Sequence, residues 1–213
     1  MTRDSARRQR AADGLVHATG IVGAVIGVPL LVVAVAARDE PLPSITAIVY
    51  GAALIATLTI SGAYNILSDG RAKERLRPYD HAAIFLLIAG TYTPFSLVTI
   101  NGTLGRVLCA SVWLVALTGA ALKFLHRRRY ERFYVTLYVA LGWAGIPALG
   151  ILMVTLSPAA FALLIAGGIL YTAGIAFHLR DSMPYGTAIW HGFVLIAAAC
   201  HYLAVLLALA PGV

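Results

Sequence analysis

Fourteen of the sixteen Lys and Arg residues in this 213-residue chain fall in four alternate gaps between long apolar runs. The runs divide into seven predicted helices at about 15–37, 42–68, 80–100, 104–125, 133–156, 159–179 and 185–210. Each is about long enough to cross a hydrocarbon core of ~30 Å at 1.5 Å per residue. The basic gaps hold Arg3, Arg7, Arg8 and Arg10, then Arg71, Lys73, Arg75 and Arg77, then Lys123, Arg127, Arg128, Arg129 and Arg132, and finally Arg180. Only Arg38 and Arg106 fall in the intervening gaps. This pattern predicts an all-α membrane protein, a seven-transmembrane-helix bundle. The positive-inside rule then sets the N-terminus in the cytoplasm and the C-terminus outside.

Composition narrows the function classes. The chain is 60% hydrophobic and 12% charged, with a mean hydropathy of +0.85, which excludes an ordinary soluble domain or a disordered chain. Seven spans leave little chain for an extramembrane domain. The expected organisation is a basic cytoplasmic tail over 1–13 and one membrane domain over 14–210. The net charge of +7 resides beside helix ends, where anionic lipid rather than nucleic acid is the nearer partner. The expected location is the cell membrane. Cys109 and Cys200 lie in apolar runs without CxxC spacing and read as small core residues. Arg7 to Arg10, followed by an apolar stretch and Ala34-Val35-Ala36, resembles a signal peptide. The stretch is too long for a usual signal core and contains His17, so an uncleaved first helix is expected.

Breakers mark the turns: Pro41 and Pro43, Asn101-Gly102, and Ser157-Pro158. The last is decisive, because residues 133–177 contain no Asp, Glu, Lys or Arg and would otherwise form one helix of more than ~60 Å. Pro29, Pro94 and Pro147 are expected to kink their helices. Gly20, Gly23, Gly27, Gly142 and Gly145 suit close helix contacts. Tyr134, Tyr138 and Trp143 supply candidate interface anchors.

Polar side chains inside spans are costly in hydrocarbon and by default face the bundle interior. On the predicted topology His17 lies near the cytoplasmic edge of the first span. Ser61 and Asn65, at i and i+4, share a face in the last turns of the second. Asp80 and His81 open the third, where Asp80 can also serve as a helix cap. Thr187 and His191, again i and i+4, open the seventh. His17, Ser61, Asn65, Asp80 and His191 thus form a ring within roughly 10 Å of one boundary. His201 lies ten residues past His191, about 15 Å deeper and on another face, so the two cannot share one metal. His126 and His178 fall at helix ends.

These residues resemble a known family. Ser61-Gly-Ala-Tyr64-Asn65 and the run from Tyr79-Asp80-His81 to Ala89-Gly90-Thr91-Tyr92-Thr93-Pro94-Phe95 look like the hemolysin III branch of the progestin and adipoQ receptor family. Gly14 to Gly20, Gly167 to Gly174, Ile189-Trp190-His191-Gly192-Phe193-Val194 and Cys200-His201 extend the match over about residues 13–207. The resemblance implies seven spans with the N-terminus inside. It also implies a zinc site near the cytoplasmic face, built from a second-span His and a His-x3-His pair in the seventh, with an Asp opening the third span. Such a site resembles that of ceramidase-like amide hydrolases.

The chain departs from that pattern at two of three ligands, where Asn65 and Thr187 stand in place of His; His191, Ser61 and Asp80 match. Neutral oxygens are poor zinc ligands beside imidazole. The sequence therefore predicts a degenerate metal site within a polar pocket that includes His17, Tyr64, Asn65 and Thr187. The leading functional expectation is a membrane or lipid-homeostasis or sensor protein with a small lipid ligand. The alternatives are a zinc-dependent hydrolase of a lipid amide or acyl bond, with Asp80 as general base, Ser61 assisting and His191 as ligand, and a channel or cytolytic pore. His17 is a candidate replacement ligand if the first span packs close by. Oligomeric state is not encoded in any of these features.

Overall fold

The computed structural model describes residues 3–36, 38, 40–67, 70–126, 130–180 and 183–210. All regular structure among them is helical. Seven helices are long and apolar enough to cross a membrane, as the charge periodicity predicts. We number the helical segments α1 (Arg3–Ala36), α2 (Pro41–Ile66), α3 (Arg71–Pro94), α4 (Gly102–Leu125), α5 (Glu131–Gly142), α6 (Leu149–Thr155), α7 (Pro158–His178) and α8 (Gly186–Leu209). α5 and α6 together make the fifth span; α3 continues into a π-helical turn, Phe95–Ile100, to complete the third.

The predicted breakers act where expected. Pro41 opens α2. Asn101 and Gly102 both adopt left-handed φ values, 54° and 60°, and the Asn101 side chain accepts a hydrogen bond from Gly102 N at 2.6 Å. Pro158 opens α7, and Ser157 Oγ accepts from Ala160 N at 3.2 Å, a serine N-cap. The prolines inside spans differ in their effect. α1 runs unbroken through Pro29. Pro94 precedes the π turn, a familiar consequence of a missing backbone donor. Pro147 sits in a 3-10 turn, Ile146–Ala148, that separates α5 from α6. The backbone freed there is satisfied by Tyr92 of α3, whose hydroxyl donates to Gly142 O and accepts from Gly145 N, both at 2.8 Å.

Two helix starts differ from the predicted ones, and both bear on the site. α1 begins at Arg3 rather than near residue 15, and α3 begins at Arg71 rather than at Asp80. Hydropathy alone marks where a span enters hydrocarbon, not where its helix starts. Asp80 is therefore an interior residue of α3 and not its cap.

α1 packs against α2 on one side and α8 on the other, α2 against α3, α3 against α4, and α7 against α8, so the first and last spans are neighbours. His17 meets His191 near the starts of α1 and α8, while Arg38 Nη1 donates to Leu209 O beyond their far ends. α1 and α8 therefore run parallel, and α2 runs back between them and α3. Small residues allow the close crossings. A Cβ on Gly20 would lie 3.1 Å from Leu195 Cδ1, and one on Gly62 would lie 3.4 Å from His17 Cβ. Gly27 seats Tyr202 in the same way, whereas Gly23 and Gly142 have nothing within 4 Å. Cys109 is buried, Cys200 half-buried, and both are free thiols.

Alternation of the spans gathers Arg7, Arg8, Arg10, Arg71, Lys73, Arg75, Arg77, Lys123, Arg132 and Arg180 at one end; Arg127, Arg128 and Arg129 lie outside the described residues. Lys123 does not face water. It is completely buried and paired with Glu131 at 2.7 Å, above the ring of Tyr134, which is itself 2% exposed. Tyr134 is thus core rather than an interface anchor.

Candidate metal centre

The site sits at the basic end, where α1, α2, α3 and α8 converge. Asp13 and His17 stand one turn apart on α1, and that i, i+4 spacing turns both side chains to the face that meets α8. Both are buried, at 7% and 4% exposure, while His191 on α8 is half-buried. His191 Nδ1 lies 2.5 Å from Asp13 Oδ1 and 3.2 Å from His17 Nε2; His17 Nε2 lies 3.8 Å from Asp13 Oδ2. The two rings are tilted at 58° with centroids 4.3 Å apart.

This arrangement is over-supplied with acceptors and donors for its protons. In any protonation state Nδ1 of His191 offers one in-plane position, either an N–H or a lone pair, yet two neighbours face it. A cation satisfies all three groups at once. The ligand atoms of Asp13, His17 and His191 lie within 4.8 Å of one another. Tetrahedral zinc with bonds of about 2.0–2.1 Å has ligand–ligand edges of roughly 3.3 Å. The 3.2 Å separation of the two imidazole nitrogens matches that edge, and the Asp13 carboxylate offers one oxygen toward each ring, Oδ1 at 2.5 Å from His191 Nδ1 and Oδ2 at 3.8 Å from His17 Nε2. Two imidazoles and a carboxylate are also a donor set found at catalytic zinc sites.

The other predicted residues divide in two. Ser61 and Asp80 come together: the Ser61 hydroxyl lies close enough to the Asp80 carboxylate to interact with it, and Asp80 lies within electrostatic reach of Asp13 and His191. Asn65 supports that pair, donating from Nδ2 to Ser61 O at 2.9 Å and to Ser61 Oγ at 3.4 Å. An amide engaged on its own helix does not act as a ligand. Thr187 is exposed at the start of α8, and Tyr64 is half-buried with Lys73 Nζ 5.2 Å above its ring. The second-span and seventh-span positions where the family resemblance implies His therefore do not fit zinc in this chain. The first span supplies a different pair. His17 was a sequence candidate, but Asp13 was not, because a helix assumed to begin at 15 leaves it in the tail. The visible signal was its i, i+4 spacing to His17. His201 is remote from this centre, with Nε2 3.1 Å from Leu164 O.

A seven-span helical bundle with a carboxylate–imidazole cluster at one end defines a multi-pass membrane protein with a potential metal centre. The chain belongs to the haemolysin-III-related family, whose model matches residues 8–202, and with it to the hemolysin III branch of the progestin and adipoQ receptor family. It is 34% identical to Hemolysin-3 of Bacillus cereus over 207 residues, covering 96% of this chain and 93% of that protein. It is 33% identical to the Hemolysin-3 homolog of Bacillus subtilis over 199 residues, covering 93% of each. Human monocyte to macrophage differentiation factor is 31% identical over 205 residues, covering 92% of this chain and 83% of that protein.

Proposed function

We propose that this protein is a zinc-dependent hydrolase of an acyl or amide bond in a membrane lipid, lodged in the cell membrane with its basic end toward the cytoplasm and serving lipid homeostasis. The observation that carries the reading is the adjacency of the Asp13–His17–His191 cluster to the Ser61–Asp80 pair. Asp13, His17 and His191 would hold the metal, which when bound supplies Lewis acidity and lowers the pKa of water. Asp80 is the general base that takes the proton of the attacking water. Ser61 fixes the orientation of that carboxylate, and Asn65 fixes Ser61. Burial of His17 and Asp13 between α1, α2 and α8 keeps bulk water from the cluster.

The test is paired. Protein purified in detergent is assayed for bound metal, and reconstituted protein for fatty-acid release from fluorogenic lipid esters and amides. Asp80→Asn is expected to reduce turnover by about 100-fold or more while retaining metal; His191→Ala is expected to lose both. Less than about 0.2 zinc per chain in the wild type after incubation with excess zinc and washing would sink the reading. A non-catalytic lipid sensor is the second reading, favoured by the exposure of Thr187 at a position where the family pattern has a ligand. It predicts lipid binding without release of fatty acid.

A further inference from the structure

Beside the Asp13–His17–His191 cluster lies a second polar group, built around one shared carboxylate. At the basic end, Glu131 of α5 is shared by Lys123 Nζ of α4 at 2.7 Å, by Arg77 Nη2 of α3 at 3.1 Å, and more loosely by His81 Nδ1 at 3.6 Å. One carboxylate is thus shared by two basic side chains. Lys123 is sealed beneath it, with Nζ 4.3 Å above the Tyr134 ring, and needs no further partner. Arg77 is the less enclosed of the two. Its side chain remains 21% exposed, and its Nε is buried with no hydrogen-bond partner among the described residues.

A buried guanidinium N–H left unpaired is uncommon, because its desolvation goes uncompensated. The location says what kind of partner it suits. Arg77 stands where α3 passes from the charged segment Arg71–Arg77 into the apolar run, the level of the lipid headgroups. It lies three residues from Asp80 on the same helix and close enough to interact with its charge. Tyr138, whose hydroxyl donates to His81 O at 3.0 Å, lies within electrostatic reach of both Glu131 and Asp80. The fork of a guanidinium matches two oxygens of a phosphate, and the part of the Arg77 side chain that remains exposed can meet one while Nη2 stays with Glu131.

We propose that Arg77 is the headgroup-binding residue of this site, and that the lipid it takes is an anionic phospholipid held by its phosphate. The word substrate rests on the hydrolase reading above; the binding does not. Phosphate held at Arg77 places the acyl chains toward the membrane interior and the carbonyl region toward Asp80 and Ser61. Glu131 competes for the same guanidinium and so moderates the affinity.

The experiment uses full-length, delipidated protein stripped of metal with EDTA, so that binding is read without turnover and without zinc. It is titrated with dioctanoyl phosphatidylglycerol, dioctanoyl phosphatidylcholine, glycerol 1-phosphate and inorganic phosphate. Lipid stoichiometry is read by native mass spectrometry and affinity by thermal stabilisation. One phosphatidylglycerol per chain is expected, bound about 10-fold or more tightly than phosphatidylcholine. Arg77→Gln and Arg77→Lys are each expected to weaken it about 10-fold, the second because lysine keeps charge but lacks the fork. Glu131→Gln is expected to strengthen binding, and Arg75→Gln to leave it within about 2-fold. A purely structural ion pair would make Glu131→Gln neutral or harmful to binding, and that result overturns the proposal. So does an equal loss in Arg75→Gln, the mark of a diffuse surface field, or inorganic phosphate binding as tightly as the lipid. If only the metal assay fails, the hydrolase reading falls while this site stands; the reverse outcome is equally legible.

Discussion

His17 and His191 are 174 residues apart in the chain, yet His17 Nε2 lies 3.2 Å from His191 Nδ1. The first and seventh spans are brought side by side by the closure of the bundle, and Asp13, one turn before His17, completes the contact at 2.5 Å from the same nitrogen.

Removing one ligand should be felt by the metal before it is felt by the fold. Asp13→Asn and His17→Ala should each weaken zinc binding by about 100-fold or more, since a full site contributes ~10–16 kcal/mol shared among its ligands. Competition against a chromophoric chelator measures this. Unchanged affinity in both variants would place the metal elsewhere.

Asn65 should act through Ser61. Asn65→Leu removes the amide that donates to Ser61 O and Oγ, so turnover should fall several-fold while zinc content stays the same. A loss of metal in this variant would instead make Asn65 a ligand.

The crossing of α1 and α2 at Gly62 should set the geometry of the cluster. A Cβ there meets Ile21 Cδ1 at 3.1 Å and His17 Cβ at 3.4 Å. Gly62→Ala needs a shift of a few tenths of an ångström and should be tolerated. Gly62→Val is expected to push α1 away and weaken zinc binding, with the protein still folded by circular dichroism. Equal zinc affinity in all three proteins would show that the crossing does not matter to the site.

Tyr92 should hold the broken fifth span. Tyr92→Phe leaves Gly142 O and Gly145 N without their shared partner and is expected to cost about 1–3 kcal/mol, a drop of several degrees in Tm in detergent. Because the break lies away from Asp13 and His191, zinc affinity should be unaffected.

Much of the architecture was legible from residue order. The seven spans, the turn at Asn101-Gly102 and the cap at Ser157-Pro158 follow from hydropathy and local backbone chemistry, and the structure shows each. The proximity of Ser61 and Asp80 was legible as a shared depth, though not as a contact between two particular side chains. Asp13 was not legible, because polar residues hide a helix start from hydropathy. Tyr134, a candidate interface anchor, proved buried beside Lys123 for a related reason: sequence shows that a cation lies near a span's end, but not that Glu131 pairs with it there.

By itself, then, the sequence determined how many times the chain crosses the membrane and which ends of the spans are basic, since both depend on transfer free energies summed residue by residue. Only the tertiary structure decided that the metal-capable set is Asp13, His17 and His191 rather than residues at positions 65, 187 and 191. That choice depends on which spans become neighbours and how closely glycine lets them cross. These are properties of packed pairs of helices, and no single helix carries them in its own pattern.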